Sequence, residues 1–149
     1  MKFKTLGIIA VASLAALSLA ACGAAPGGNS AASKGTEIGK TFKLGYDLEL
    51  SGGVAAYGNA GKNGANLAVD EINKAGGING KQITVISKDN KSDNAEAATV
   101  VSNLINNDKV NAVIGSMTSG AVKSMTPNVT KGAVPLVTPA GTDDTLTVT

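Results

Sequence analysis

Two short segments combine hydroxyl side chains with glycine directly after apolar runs. The first is residues 116–119 (Ser-Met-Thr-Ser), which follow an apolar run ending at Ile114 and precede a stretch with helical spacing. A helix N-terminus has free N–H groups and a partial positive charge, so it attracts carboxylates. Small hydroxyl side chains such as Thr118 and Ser119 add donors and allow close approach. For this segment alone, plain N-capping of the helix is the simpler explanation.

The second segment, residues 138–142 (Thr-Pro-Ala-Gly-Thr), also follows a short apolar run. If both segments follow strands of one parallel sheet, they lie at the edge where such sheets bind ligands. Backbone N–H groups and hydroxyls there would take the carboxylate of an amino acid. Carbonyl oxygens, with an acid from elsewhere, would take the ammonium group. The two segments together therefore predict a site for both ends of an amino acid.

The elements that must position these segments alternate regularly along the chain. Apolar runs predict strands at residues 42–46, 82–87, 110–114 and 135–137, and helical spacing predicts helices at 59–75, 93–107 and 119–131. In the first helix Gly64, Leu67, Ala68, Ile72 and Ala75 share a face that we expect to be buried. This alternation predicts an α/β fold, a three-layer αβα lobe whose parallel sheet carries crossover helices on both faces.

Composition excludes several function classes. Two of the 13 lysines lie within the first four residues, and the remaining 11 balance the 11 acidic residues, so a basic nucleic-acid face is not expected. The chain has one cysteine and no histidine, which excludes a disulfide framework and removes the usual proton shuttle and zinc ligand. We therefore expect no enzyme activity, no cofactor, no metal and no nucleic-acid partner.

Three local patterns look functional but fail on inspection. Residues 76–81 (Gly-Gly-Ile-Asn-Gly-Lys) are one residue short of a phosphate-binding loop and lack its Ser or Thr. The acidic and amide residues at 89–94 lack the glycine and glutamate of a calcium loop, and a turn into a helix capped by Asp93 explains them better. Asp47 and Glu49 near the end of the first strand are interpreted as a solvated edge.

The first 40 residues predict export and a membrane anchor. A basic start and an apolar run from residue 6 to residue 21 are typical of a secretory signal peptide. The residues Leu-Ala-Ala-Cys that end at Cys22 resemble a bacterial lipobox, in which the cysteine is lipidated. We therefore expect a signal peptide at residues 1–21, lipid on Cys22, a flexible Gly/Ala/Ser-rich tether at 22–40 and an extracytoplasmic protein anchored to the membrane.

From residue 42 to residue 147 the chain resembles the first lobe of the type 1 periplasmic binding proteins, and most of all the branched-chain amino-acid receptors of ATP-driven transporters. The resemblance is carried by Ser51-Gly52, Tyr57-Gly58, Asn63-Gly64-Ala65, Glu71-Ile72-Asn73, residues 76–80 and the two hydroxyl-rich segments. The family often has proline where this chain has Gly53.

The resemblance implies roles for five residues. Ser119 corresponds to the serine that binds the ligand carboxylate, and Thr142 to the threonine that binds the carboxylate or the ammonium group. Gly141 corresponds to the residue whose carbonyl accepts from the ammonium group, and Thr118 to a neighbour that lines the pocket. Tyr57 corresponds to an aromatic residue that packs on the ligand side chain, although it could instead cover the first helix.

The resemblance also implies the whole-protein function. Receptors of this family have two lobes, so residues 41–149 are expected to form an incomplete first ligand-binding lobe that lacks the second. The expected function is capture of an amino acid, by family default a branched-chain one, and its delivery to the permease subunits of an ABC transporter. The alternative is a sensor domain of the same fold that binds amino acids or amides.

Overall fold

The computed structural model describes residues 35–146, so the predicted signal peptide and Cys22 lie outside the described residues. Four strands and three α-helices alternate, followed by a short 3-10 helix at Asp144–Leu146. The strands are β1 (Phe42–Leu48), β2 (Ile83–Asp89), β3 (Ala112–Gly115) and β4 (Leu136–Val137), and the helices are α1 (Ala55–Lys74), α2 (Asn94–Asn106) and α3 (Ser119–Gly132). The predicted order of elements is confirmed.

All strand pairs are parallel, and the sheet has the order β2-β1-β3-β4. One apolar cluster packs α2 and α3 on one face of the sheet, around residues such as Leu104, Val113 and Met125. A second cluster packs α1 on the other face, with Tyr46 and Val69 among its members. Helices on both faces of a parallel sheet form the predicted three-layer arrangement, and they bring the ends of β1, β3 and β4 to one edge.

Helix α2 begins as its sequence predicts, with one difference. The Asp93 carboxylate accepts a hydrogen bond of 2.8 Å from the Glu96 N–H group and caps the helix. The reciprocal half of the capping box is not formed, because the Asp93 N–H group donates to the Asn90 carbonyl at 3.0 Å, while the Glu96 carboxylate pairs with Lys91 at 3.1 Å. The apolar residues that recur at helical spacing in α2 and α3 are buried: Ala97, Val101, Leu104, Ile105, Val122, Met125 and Val129.

The prediction for α1 was wrong in its start and in its buried face. The helix begins at Ala55, and its buried residues are Gly58 and Val69, whereas Leu67 is 63% exposed. A Cβ atom at Gly58 would lie 2.0 Å from the Glu49 carbonyl oxygen, so only glycine lets the helix approach β1 this closely. Small and apolar residues of α1 occur around most of the circumference of the helix, so their spacing does not identify the packed face.

Residues 36–39 of the predicted tether lie against the amino ends of the strands. The Asn111 side-chain amide donates to the carbonyls of Thr36 and Glu37 at 3.0 and 3.2 Å. The Lys81 ammonium donates to the carbonyls of Ile38 and Gly39 at 3.0 and 2.7 Å. None of the helices within residues 35–146 is long and apolar enough to cross a membrane.

Candidate functional site

The two hydroxyl-rich segments meet at the carboxyl edge of the sheet. The Ser119 hydroxyl oxygen accepts hydrogen bonds from the backbone N–H groups of Thr142 and Asp143 at 3.1 and 3.2 Å. Ser119 begins α3 after β3, and Thr142 lies in the loop that follows β4. The predicted convergence of these segments is confirmed, while the ligand contacts expected for Ser119 and Thr142 stay predictions.

Plain N-capping does not explain the hydroxyls at the start of α3. Thr118 occupies the N-cap position, but within the described part of the chain its side chain makes no capping hydrogen bond. The first helical bond runs from the Val122 N–H group to the Thr118 carbonyl at 3.1 Å. The N–H groups of the preceding turn, on Ser119, Gly120 and Ala121, have no partner within the helix and suit a carboxylate.

The Thr118 hydroxyl is directed inward to Glu49. It donates to Glu49 Oε1 at 2.8 Å, and the Thr118 N–H group donates to the same oxygen at 3.1 Å. Glu49 Oε2 accepts from the Met117 N–H group at 3.0 Å. The Thr118 hydroxyl therefore contacts the interior of the protein. If Thr118 lines the pocket as expected, it does so through its methyl group or its backbone.

Asp47 and Glu49 are not a solvated edge, and that interpretation was wrong. Both residues are 0% exposed: Asp47 is hydrogen-bonded to Asn90 and Ser116, and Glu49 lies against Gly58 of α1 and the segment before α3. Burial raises the pKa of the Asp47 carboxyl to about 7, the Asn90 hydrogen bond opposes this, and the charge of Glu49 adds to it. The sequence signal was present, since these acids alternate with Tyr46 and Leu48 in a strand buried on both faces.

A buried polar group ties the ends of three strands together, and sequence reasoning missed it. The Asn90 side-chain amide donates to Asp47 Oδ1 at 2.9 Å and to Ser116 Oγ at 2.8 Å. The Ser116 hydroxyl donates to the Asp47 carbonyl at 2.9 Å. Among residues 35–146, Asp47 Oδ2 has no hydrogen-bond partner. These hydrogen bonds fix the position of Ser116, and with it the start of the segment after β3.

The loop after β4 is closed by its own threonine. The Thr138 hydroxyl donates to the Ser116 carbonyl at 2.7 Å and accepts from the Gly141 N–H group at 3.0 Å. A Cβ atom at Gly141 would lie 2.7 Å from a methyl carbon of Leu146 and 3.0 Å from Thr138 Oγ1. A larger residue at this position would therefore make the side chains of Leu146 and Thr138 shift.

An ion pair joins the same loop to α3. The Lys123 ammonium contacts the Asp143 carboxylate, next to the Ser119–Thr142 contact. This hydrogen bond, followed by those from Thr145, holds the pKa of Asp143 well below its usual range. The start of α3 and the loop after β4, which together are called the rim below, are thus joined by two links.

Tyr57 lies just after a third loop at this edge. The Asp89 carboxylate fixes that loop by accepting from the Leu50 and Ser51 N–H groups at 2.9 and 3.1 Å, and from the Ser51 hydroxyl at 2.6 Å. Tyr57 lies in the first turn of α1 and is 63% exposed. Its ring therefore covers little of the protein surface, and its contact with a ligand stays a prediction.

The groups at this edge are of the kind that binds the polar ends of an organic ligand. Within residues 35–146 there is no group of three or more His, Cys, Asp or Glu side chains that could hold a metal. The Glu49 oxygens are occupied by N–H and O–H donors. What the edge offers is unpaired helix N–H groups, hydroxyls and loop carbonyls.

Comparisons with known proteins identify relatives of this chain. A profile described as "Periplasmic binding protein" matches residues 41–148. The chain is similar to the isoleucine-bound substrate-binding protein LivJ of Streptococcus pneumoniae, with 57% identity, a TM-score of 0.71, and coverage of 72% of this chain and 31% of the other. It is also similar to the leucine-binding protein LivK of Thermotoga maritima, with 28% identity, a TM-score of 0.67, and coverage of 72% and 30%.

A curated relative gives the same family. The leucine-, isoleucine-, valine-, threonine- and alanine-binding protein of Pseudomonas aeruginosa is 33% identical over 107 residues, which cover 72% of this chain and 28% of the relative. This chain thus spans less than a third of the length of these relatives. The profile match covers most of the chain, and the parallel sheet with helices on both faces is the architecture of the matched structures. We conclude that the chain belongs to the periplasmic binding protein family, with the α/β fold of its type 1 members.

Proposed function

We propose that the full-length protein is an extracytoplasmic solute-binding lipoprotein that captures a branched-chain amino acid and delivers it to the permease subunits of an ABC transporter. The observation that carries this proposal is the contact between Ser119 and Thr142 at the start of α3. It places two hydroxyl side chains, a loop rich in backbone groups and the unpaired first-turn N–H groups of α3 at one rim. Such a rim matches the head group of an amino acid.

The chemistry of the rim supports binding without conversion. Helix N–H groups stabilise a carboxylate, and the Gly141 carbonyl can accept from an ammonium group. The buried acids at this edge, Asp47 and Glu49, are enclosed and cannot reach a ligand directly. The relatives named above are described as binding proteins, which agrees with a receptor that releases its ligand unchanged. We propose no enzyme activity.

A thermal-shift screen of the full-length protein against the twenty amino acids tests the proposal. Ligand that binds only the folded state raises the melting temperature. We expect leucine, isoleucine and valine to raise it most, and chromatography after incubation to recover them intact. If no aliphatic amino acid changes the melting temperature, the transport function is wrong. Recovery of a chemically altered ligand would indicate an enzyme instead.

A further inference from the structure

We propose that Glu49 is a positioning residue of the ligand site, which holds the segment before α3 and keeps the first turn of that helix open for a ligand carboxylate. This inference rests on the proposed function. Glu49 follows β1, is 0% exposed, and contacts residues that lie 68 and 69 positions later in the chain. It is therefore a tertiary link between the central strand and the candidate site.

The Glu49 carboxylate is fully used by this link. Oε2 accepts from the Met117 N–H group at 3.0 Å, and Oε1 accepts from the Thr118 N–H group at 3.1 Å and the Thr118 hydroxyl at 2.8 Å. A buried carboxylate is tolerated when donors satisfy both of its oxygens. Hydrogen bonds to an ionised group are also stronger than neutral ones. The peptide groups of Met117 and Thr118 are thus held in one orientation.

The bonds of Glu49 do not compete with a ligand. They engage the N–H groups of Met117 and Thr118, which precede the helix, and leave those of Ser119, Gly120 and Ala121 untouched. An ordinary helix-capping side chain would instead accept from the N–H groups of the first turn. Glu49 therefore supports the segment from below while the end of the helix stays available.

Glu49 also changes what Thr118 does. A threonine at the N-cap position ordinarily turns its oxygen toward the first-turn N–H groups. Here Thr118 has the extended backbone of an N-cap residue, with φ of −104° and ψ of 140°, but its hydroxyl donates to Glu49. By engaging this hydroxyl, Glu49 prevents the helix from capping itself at the place where the ligand carboxylate is expected.

The test compares Glu49→Gln with Asp93→Asn in the full-length protein. Both changes convert an acid to its amide near a helix start, but the Asp93 side chain accepts from the Glu96 N–H group of α2 and not from the segment before α3. Calorimetric titration with leucine measures the Kd, and thermal unfolding measures stability. Hydrogen exchange measures the exchange rates of the Met117 and Thr118 amide protons. We expect Glu49→Gln to raise the Kd about tenfold or more and to speed exchange at Met117 and Thr118 about tenfold. Asp93→Asn keeps a side-chain oxygen that can cap α2, and it should leave both the melting temperature and the Kd nearly unchanged.

Each outcome bears on the proposal. An unchanged Kd for Glu49→Gln, beside a wild type that binds leucine, would overturn the inference and leave the function intact. A wild type that binds no aliphatic amino acid would overturn the function, and the inference would fall with it. If Glu49→Gln does not fold, Thr118→Val replaces it, because that change removes only the hydroxyl donor. Thr118→Val should bind leucine several-fold more weakly than the wild type, and equal binding by the two proteins would also overturn the inference.

Discussion

At the scale of single residues, the carboxyl edge of the sheet has an unusual share of buried polar side chains. Asp47, Glu49, Asn90 and Ser116 are all buried, and hydrogen bonds connect them to backbone groups of the site segments. Such groups lower stability unless their partners are in place. Here their hydrogen bonds fix the geometry of the segments at the carboxyl edge.

Asp47 should make stability depend on pH. Its pKa is raised from 3.8 to about 7, so between these values the folded state retains a proton that the unfolded state has lost. Stability therefore falls as pH rises through this window, by at most about 1.4 kcal/mol for each pH unit, and is constant above it. We expect Asp47→Asn to flatten this dependence and to be more stable than the wild type at pH 8 by about 2 kcal/mol.

Urea unfolding at several pH values between 4 and 8 measures this effect. Glu71→Gln changes an exposed acid on α1 and serves as the control, which should keep the slope of the wild type. A slope that is the same in Asp47→Asn and the wild type would show that Asp47 is ionised in the folded protein throughout this range.

Ser119 should contribute directly to ligand affinity. Removing its hydroxyl leaves the ligand carboxylate and the Thr142 N–H group each without a partner, so Ser119→Ala should weaken leucine binding by about 1–3 kcal/mol. Ser102→Ala is the matched control, because Ser102 lies two turns into α2, where its hydroxyl accepts a hydrogen bond of 3.1 Å from the Asn106 side-chain amide. Equal dissociation constants for Ser119→Ala and the wild type would show that the Ser119 hydroxyl has only a structural role, through its bonds to the Thr142 and Asp143 N–H groups.

At the scale of elements, the contact between α1 and the end of β1 supports the candidate site through Glu49. Gly58 in α1 lies directly against the backbone of Glu49, whose side chain reaches the segment before α3. Gly64, in the same helix, faces open space: a Cβ atom there would meet nothing within 4 Å of the described chain. The two glycines differ only in what they pack against.

Alanine at these two positions should have opposite effects. Gly58→Ala must push α1 away from Glu49, and we expect it to lower the free energy of unfolding by about 1–3 kcal/mol. Gly64→Ala removes a flexible residue from a helix interior at no steric cost and should raise it by up to about 1 kcal/mol. Chemical denaturation of both variants measures the difference. Equal effects would mean that α1 does not pack through Gly58.

Much of the fold was predictable because the apolar residues of α2 and α3 each lie on one face. Residues such as Val101 and Met125 recur at helical spacing and are buried as expected. Helix α1 was predicted less well, because packing through Gly58 leaves no apolar signal in the sequence. Among the site residues, Ser119 and Thr142 could be placed from their positions after strands. The link from Glu49 could not, because its partners are backbone N–H groups 68 and 69 residues away.

At the scale of the whole molecule, the proposed lipid anchor rests on Cys22, which lies outside the described residues. We expect the wild type to incorporate a fatty-acid label and to partition with membranes, since buried methylenes are worth roughly 0.8 kcal/mol each. Cys22→Ser should remove the label and release the protein, whereas Ser33→Ala in the predicted tether should change neither. Labelling of Cys22→Ser would disprove lipidation at this residue.

The hydrogen bonds that hold residues 36–39 bear on where a bound molecule would lie relative to the start of the sheet domain. They fasten the entering polypeptide beside Lys81 and Asn111, which precede β2 and β3, whereas Ser119 and Thr142 follow the opposite ends of β3 and β4. The seven residues of β1 separate these ends by about 20 Å. A ligand at the rim would therefore lie at the opposite edge of the sheet from the segment through which the chain enters it, so the contacts of a ligand and those of residues 36–39 involve separate ends of the strands.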